Sequence, residues 1–494
     1  MARTDLQPFD FFGIAKARLL WPGLFLALIL SCLRASAEDW PKFGKDLANT
    51  AHSNETGINS RNVNSLQTKW TFMTGGIIST TPAVVTIHQT RVLFVGAWNG
   101  VFYALNAVTG KVIWSFTVDY VGGRCVQATP WCRIGSSPAV DVTNNMVFFG
   151  SYNGYLYALR ASTGKLVWKQ LVGGSRAGYE VWSSPAVYNG MVFVGVSSHG
   201  DMPCLPGGAV NAYNELSGEP IWSFNTIDQS TCPGGGICVG GSVWSSVAID
   251  DANGIVYAGT GNPGSTCTPP TQNAGLYPDS ILALNASTGK LLNYFQAVTN
   301  DINDLDFGAS PVLHQTGETN QCTGSTTTQS WVSEGSKDGY IYTVERDING
   351  LTTNEQQKFS SNSGFVATAA VRPWTTTKSC DSNGHNILDS GNTLYDPGSS
   401  GVFWLFQQDH TGNVVFLRKD TLATKNMAGA PASIADVVLF GSPDGNFYAS
   451  DKNGVILKTI PAGAAMYGGV SISNSRIYFG TTDGTLYCIS PNGQ

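Results

Sequence analysis

Three short segments of the chain contain side chains that could hold a metal ion or move a proton. The first is an acidic stretch with Asp301, Asp304 and Asp306. The others are a Gly-Asn-Pro turn with Asn262 and a Ser-Lys-Asp turn with Lys337. Carboxylate and amide oxygens suit Ca²⁺, and a carboxylate can remove a hydroxyl proton. The alternative interpretation is that these are an acidic solvated turn and ordinary turn residues.

A repeated phrase must position these segments. It consists of a strand, a Thr-Gly or Ser-Gly turn and a second strand, and its four copies end at Trp114, Trp168, Trp222 and Asn293. Such self-similarity predicts a repeat fold. An apolar strand and a Ser-Ser-Pro-Ala-Val-like strand precede each copy, so the unit has four strands. We expect the repeated Trp residues to pack between neighbouring units rather than to carry chemistry.

The inner-strand signal occurs eight times, at residues 80–84, 136–140, 183–187, 245–249, 309–313, 367–371, 429–433 and 468–472. The last unit lacks its closing strand, whereas residues 66–72 form an orphan strand near the start of the chain. Pairing of these ends would remove exposed sheet edges. The sequence therefore predicts an all-β fold: residues 38–494 form a single eight-bladed β-propeller of four-stranded blades, closed by the N-terminal strand. Residues 265–278 and 316–329 are predicted to be inserted loops.

Composition and the N-terminal segment restrict the setting. Residues 1–37 have basic residues, an apolar run and an Ala-Ser-Ala site, which predicts a signal peptide, a periplasmic or secreted protein and no stable membrane span after cleavage. A net charge of −6 argues against a nucleic-acid partner. Close spacing suggests the disulfides Cys125–Cys132 and Cys232–Cys238, with Cys488 unpaired in a buried strand.

The phrase Ala-Leu-Asn-Ala-x-Thr-Gly-Lys-x-x-Trp resembles the repeat of the pyrroloquinoline-quinone (PQQ) alcohol dehydrogenases over roughly residues 40–490. Units three and four resemble polyvinyl-alcohol dehydrogenases most. The resemblance implies the cofactors PQQ and Ca²⁺, with Trp244 flat against the quinone and Asn262 as a metal ligand. It also implies that Asp301 is the catalytic base and a second metal ligand, with Asp304 and Asp306 as alternatives.

The same resemblance places Lys337 near the quinone oxygens and Arg133 near the carboxylates of PQQ. The chain departs from the family pattern at three points: it has no pair of adjacent cysteines, its acidic metal ligand is displaced to Asp201, and Asn303 replaces an aromatic residue. Without a Cys-x-x-Cys-His motif, the chain has no site for covalently bound c-type haem. Electrons would therefore pass to a separate acceptor such as a cytochrome c or a quinone.

Two functions follow from these observations. The first is an exported PQQ- and Ca²⁺-dependent dehydrogenase that oxidises a primary or secondary alcohol, including a polymeric one. The second is a non-catalytic propeller that serves as a binding or assembly scaffold. The first predicts that the site residues converge on the propeller axis, whereas the second predicts an axial channel without a carboxylate cluster.

Overall fold

The computed structural model describes residues 38–120, 123–124, 133–173, 179–198, 207–228, 230, 239–263, 277–299, 301, 303–352, 364–365, 367–380, 386–397, 402–409, 414–421 and 429–492. Within these ranges the chain is almost entirely β-strand, and its single helix is the 3-10 turn Val63–Ser65. No helix of the described residues is long and apolar enough to cross a membrane. The predicted signal peptide lies outside the described residues.

Four antiparallel sheets of four strands follow one another in the first part of the chain. Most of each second strand is apolar and buried, because both faces of the strand are covered, whereas their fourth strands are partly exposed. Sheet 1 consists of Ala83–Ile87, Thr90–Gly96, Val101–Asn106 and Val112–Thr117; sheet 2 of Ala139–Asp141, Met146–Gly150, Tyr155–Arg160 and Leu166–Leu171; sheet 3 of Ala186–Tyr188, Met191–Ser198, Ala209–Asn214 and Pro220–Asn225; and sheet 4 of Ala248–Asp250, Ile255–Gly259, Ser280–Asn285 and Leu291–Gln296.

Sheets 5 and 6 are longer and share an edge. Sheet 5 consists of Val312–Asn320, Ser325–Gly335, Ile341–Asp347 and Gly350–Thr352, and sheet 6 of Ala370–Ser379, Asn386–Pro397, Val402–Gln408 and Val414–Thr421. Residues 317–320 pair with residues 387–390, which joins the two into one eight-stranded sheet. The predicted loop at residues 316–329 is therefore wrong. Its threonines are β-branched residues that favour strands, and they extend the hairpin of sheet 5.

Sheets 7 and 8 contain the last strands of the chain. Sheet 7 consists of Ala432–Ile434, Val437–Gly441, Asn446–Asp451 and Ile456–Pro461, and sheet 8 of Ser471–Ser473, Arg476–Gly480, Thr485–Ser490 and the N-terminal strand Gln67–Met73. The N-terminal strand pairs antiparallel with Thr485–Ser490, as the orphan strand predicted. Three further short pairings occur: His52–Ser53 with Ser433 and Ile434, Tyr179–Glu180 with Ser197 and Ser198, and Asp119–Tyr120 with Gly123–Arg124.

Tryptophans fasten consecutive sheets together at their outer strands. The indole N–H groups of Trp70, Trp114, Trp168 and Trp222 donate to the backbone oxygens of Ala107, Ala161, Glu215 and Ala286, at 2.9–3.1 Å. Each ring covers a glycine of the next sheet, and a Cβ added at Gly110, Gly164, Gly218 or Gly289 would lie only 2.5–2.8 Å from the indole. The expected structural role of the repeated Trp residues is confirmed.

Hydroxyl groups link the inner ends of the sheets. The residue two positions before each first strand donates its backbone N–H to the side-chain oxygen of its counterpart in the next sheet, at 2.9–3.0 Å. This hydroxyl chain, a series of hydrogen bonds, connects Thr81, Ser137, Ser184, Ser246, Ser310 and Thr368. Gly469, before the first strand of sheet 8, donates to Thr81 at 3.1 Å. Because these backbone N–H groups bond to the neighbouring sheet and not within their own, the first strands begin three residues later than the sequence predicted.

The segment after Glu38 crosses the first strands of several sheets. Trp40 exchanges two backbone hydrogen bonds with Val84, and Asn49 donates its side-chain amide to the oxygens of Val247 and Pro311. Backbone oxygens of the same segment also accept N–H groups from the first strands of sheets 2, 4, 5, 6 and 7. This one segment therefore ties six sheets together.

One expectation about the cysteines is confirmed, and the two predicted pairs stay predictions. Cys322 and Cys380 form a disulfide at the ends of the extended strands of sheets 5 and 6, and the sequence did not predict it. Cys488 is buried and free, as expected. The pairs Cys125–Cys132 and Cys232–Cys238 fall outside the described residues.

Candidate active site

A cavity of about 340 Å³ lies where the residues before the first strands converge. Its lining includes hydroxyl residues of the linking chain together with Trp98, Tyr152, Trp182, Trp244 and Tyr467. The volume is in the range of small-molecule sites, which are about 300–1,000 Å³. An apolar, aromatic lining with a few polar groups is also typical of such sites.

Trp244, which lines this cavity, also contacts Asp306 and Lys337. The Lys337 ammonium lies 2.6 Å from Asp306 Oδ1 and 2.7 Å from Asp304 Oδ1, and it sits 5.3 Å from the centre of the Trp244 ring. The indole N–H of Trp244 points to Asp306 Oδ2 at 3.4 Å. The turn after the second strand of sheet 5 fixes this arrangement. The backbone N–H of Lys337 donates to the backbone oxygen of Asp306, and Ser336 Oγ donates to the backbone oxygen of Leu305.

Burial and charge act against each other at this cluster. Burial raises the pKa of Asp306 to about 6, although the neighbouring Lys337 charge works in the opposite direction. Burial alone would lower the pKa of Lys337, but the carboxylates of Asp306 and Asp304 outweigh it and raise that pKa. Asp306 is therefore a buried carboxylate with one cation against it, able to accept a proton near neutral pH.

Asp301, the predicted base, occupies a different place. Its carboxylate accepts the backbone N–H groups of Asn303 and Leu305, at 2.7 and 2.6 Å, and so holds the turn that leads to Asp306. The structure brings Asp306, not Asp301, against Trp244 and Lys337. Asp306 was one of the two alternatives that the sequence left open. The turn that directs Asp301 and Asp306 to different places is irregular, so no sequence periodicity predicts it.

The Asn262 turn borders Asp306. Gly261 N–H donates to Ser242 O at 2.7 Å, and Gly241 N–H donates to Asn262 O at 2.8 Å, so the turn is fixed beside the segment of Trp244. A Cβ added at Gly261 would lie 3.1 Å from Asp306 Oδ2. Among the described residues, the side chain of Asn262 has no hydrogen-bond partner. Its amide oxygen is thus available to a ligand.

Arg133 lies in a second group of residues on sheets 1 to 3. Its guanidinium is 4.3 Å from the centre of the Trp98 ring, and Trp98 lines the cavity. Tyr152 and Trp182 stack beside it, with ring centres 4.9 Å apart. The predicted metal ligand Asp201 lies outside the described residues.

The sequence analysis missed Trp182. It precedes the first strand of sheet 3 as Trp244 precedes that of sheet 4, and it is 42% exposed at the cavity. Its indole N–H donates to Glu180. A signal was present, since Val-Trp-Ser-Ser occurs both at residues 181–184 and at residues 243–246.

Two buried acids near the cluster were also missed. Burial, followed by the charges of Asp301 and Asp306, raises the pKa of Asp279 to about 8. Burial, followed by the charge of Asp306, raises the pKa of Glu334 well above its usual value. Glu334 packs over Gly259, where any side chain would collide with its carboxyl group. Asp279 and Glu334 therefore extend the acidic region beyond the predicted residues.

The donor atoms fit a hard cation such as Ca²⁺, which takes six to eight oxygen ligands. Asp306 and Asp279 could supply carboxylates and Asn262 an amide oxygen. Within the described part of the chain, no three His, Cys, Asp or Glu side chains are grouped so as to hold a metal ion. An ion bound there would also need neutral oxygen ligands. The Trp244 face fits a planar cofactor in the same way.

Comparison with known proteins agrees with this geometry. The PQQ family model, described as the β-propeller domain of glucose/ethanol/alcohol dehydrogenases, matches residues 40–350. The chain belongs to this family. It is therefore an oxidoreductase of the PQQ-dependent alcohol dehydrogenase type, and PQQ and a metal ion are the cofactors of the family.

Individual relatives of this PQQ dehydrogenase cover it to different extents. It is 26% identical to the polyvinylalcohol dehydrogenase of a Pseudomonas species, over 88% of this chain and 69% of that one. It is 28% identical to quinoprotein alcohol dehydrogenase PedH of Pseudomonas putida, over 50% of this chain but only 44% of PedH. The quinohemoprotein alcohol dehydrogenase of Comamonas testosteroni has the same fold, with a TM-score of 0.68 and 20% identity over 92% of this chain and 81% of that one.

Proposed function

We propose that this protein is a PQQ- and Ca²⁺-dependent dehydrogenase that oxidises a primary or secondary alcohol, including polymeric alcohols. The observation that carries the proposal is the buried Asp306 carboxylate between Trp244 and Lys337. The scaffold function predicted a channel without such a cluster and is not favoured. Similarity to the polyvinylalcohol dehydrogenase supports a polymeric substrate.

Each residue then has a defined task. Bound PQQ, polarised by the metal ion, supplies the acceptor for a hydride from the alcohol carbon. Asp306 removes the hydroxyl proton, in place of Asp301, whose oxygens are engaged by the turn. Lys337 keeps Asp306 oriented and ionised, Trp244 provides the flat wall, and Asn262 provides a metal ligand. Arg133 remains a proposed partner of the carboxylates of PQQ, and Asp201 a proposed metal ligand.

We also propose that sheets 1 to 8 are the eight blades of one closed propeller. The pairing of the N-terminal strand with sheet 8, the Trp70 contact to sheet 1 and the Gly469 bond to Thr81 support closure. We further propose that the protein acts in the periplasm or outside the cell and passes its electrons to a cytochrome c or a quinone. The names of the relatives as quinoproteins and quinohemoproteins support an electron-transfer partner.

The test combines binding with activity. PQQ is titrated calorimetrically into the mature protein with and without Ca²⁺, and alcohol-dependent dye reduction is measured for the wild type, Asp306→Asn and Asp301→Asn. We expect PQQ uptake only with Ca²⁺, and a rate about 10²–10⁴-fold lower in Asp306→Asn with PQQ still bound. Asp301→Asn should chiefly lower stability. No PQQ uptake under either condition contradicts the dehydrogenase, and a larger rate loss in Asp301→Asn returns the base to Asp301.

A further inference from the structure

Asp279 occupies a position that glycine fills elsewhere in the fold. The turn between the second and third strands ends on a left-handed glycine in five other sheets, with φ of 78–87°: Gly100, Gly154, Gly339, Gly445 and Gly484. Asp279 has the same place and a φ of 53°. Its backbone oxygen accepts Ala297 N–H, as that of Gly100 accepts Val118 N–H. An aspartate therefore takes up the strain that glycine avoids.

The environment of the Asp279 side chain adds a second cost. The residue is 1% exposed, and neither carboxylate oxygen has a hydrogen-bond partner among the described residues. A buried carboxylate without a partner is unfavourable, because it loses its hydration and gains nothing in return. Glycine at this position would remove both the strain and the buried charge. Strained residues of this kind that persist commonly belong to functional sites.

The neighbours of Asp279 show what it faces. Its charged surroundings are Asp301, Asp306 and Asp304, with Lys337 as the counter-charge. Its backbone N–H donates to the oxygen of Gly261 at 3.1 Å, next to Asn262, whose amide has no partner in the described residues. The acids around Asp279 outnumber the cation. Oxygen donors with excess negative charge are the setting that Ca²⁺ prefers.

We propose that Asp279 is a carboxylate ligand of the metal site, which it shares with Asn262 and Asp306. The inference rests on the metal dependence in the proposed function and names an acid that neither the sequence motifs nor the comparisons assign. It also explains the glycine exception, because binding of the cation offsets both the backbone strain and the buried charge.

The experiment measures Ca²⁺ binding to the PQQ-free protein by calorimetry for the wild type, Asp279→Asn and Asp279→Gly. Both variants should bind Ca²⁺ about tenfold more weakly or worse, since the number of charged ligands sets the affinity of such sites. Asp279→Gly restores the residue of the other turns, so its melting temperature without Ca²⁺ should equal or exceed that of the wild type. Asp251→Asn, an exposed acid next to sheet 4, is the charge-matched control and should bind like the wild type.

The outcomes separate this inference from the proposed function. Wild-type affinity for Ca²⁺ in either Asp279 variant overturns the assignment, as does a wild type that binds no Ca²⁺. If the wild type binds Ca²⁺, the variants lose it and PQQ is not taken up, the Asp279 assignment stands and the dehydrogenase proposal fails.

Discussion

Sheets 8, 1, 2 and 3 differ from sheets 4 to 6 in how their edges and cores are built. The first group ends in tryptophans that pack on glycines of the next sheet. In sheet 4 the residue at the position of these tryptophans is Asn293. Its side-chain amide exchanges hydrogen bonds of 2.5 and 2.7 Å with the backbone of Leu351. The contact between the fourth strand and the next sheet is thus mainly apolar in sheets 8, 1, 2 and 3 and polar in sheet 4. The cluster of Trp244, Asp306 and Lys337 belongs to sheets 4 and 5, whereas residues of sheets 1 to 3 also line the cavity.

A second difference lies in the interior. The next-to-last residue of the apolar stretch in the second strand is itself apolar in six sheets: Val95, Phe149, Val194, Ala258, Phe440 and Phe479. In sheets 5 and 6 the residue at this place is Glu334 and Asp396, and burial raises the pKa of both well above the usual value. The six sheets with an apolar residue at this place therefore gain stability from apolar packing, whereas sheets 5 and 6 give up some of it to bury an acid.

The largest effect should come from the tryptophan contacts. Trp168→Ala removes a ring that is 8% exposed together with its bond to Glu215, and should lower the free energy of unfolding by about 3–5 kcal/mol. Asn293→Ala removes two hydrogen bonds, at about 1 kcal/mol each. Urea unfolding of both variants measures the difference. Equal losses of unfolding free energy would mean that the tryptophan and asparagine contacts stabilise the fold equally and that the comparison is wrong.

The buried acids should show a pH signature. In the unfolded chain Glu334 ionises near the ordinary glutamate pKa of 4.5, whereas in the fold burial raises that pKa. Above pH 4.5 the folded state therefore holds a proton that the unfolded state loses. Stability falls with rising pH up to the raised pKa, by at most about 1.4 kcal/mol per pH unit.

Glu334→Val, which copies Val95 of sheet 1, should remove the Glu334 contribution to this slope, leave those of Asp279, Asp306 and Asp396, and raise the free energy of unfolding at pH 8 by about 1–3 kcal/mol. Unfolding curves from about pH 4 to about pH 9 provide the measurement, a range that begins below the ordinary glutamate pKa of 4.5. The exposed Glu219→Val variant is the control and should keep the wild-type profile. A Glu334→Val profile that runs parallel to the wild type would show that Glu334 is not the source of the pH dependence.

The sequence predicted sheets 8, 1, 2 and 3 better than sheets 4 to 6, for a physical reason. Repeated phrases determine strands, turns and the Trp contacts because each depends on local periodicity, and the orphan strand indicated its partner in the same way. The choice between Asp301 and Asp306 depends on an irregular turn, in which spacing does not determine direction. Asp279 was missed because its meaning appears only when its turn is aligned with the glycine turns of other sheets.

The smallest predicted effect concerns the hydroxyl chain, which is continuous on sheets 1 to 6 and interrupted at Ala430 before sheet 7. Ala430→Ser would offer the Thr368 N–H the acceptor that the other sheets provide, and should raise the free energy of unfolding by about 0.5–1.5 kcal/mol. Ala430→Val adds bulk without an acceptor and should give no gain. If the serine variant is no more stable than the valine variant, sheet 7 does not face sheet 6 as its counterparts face one another.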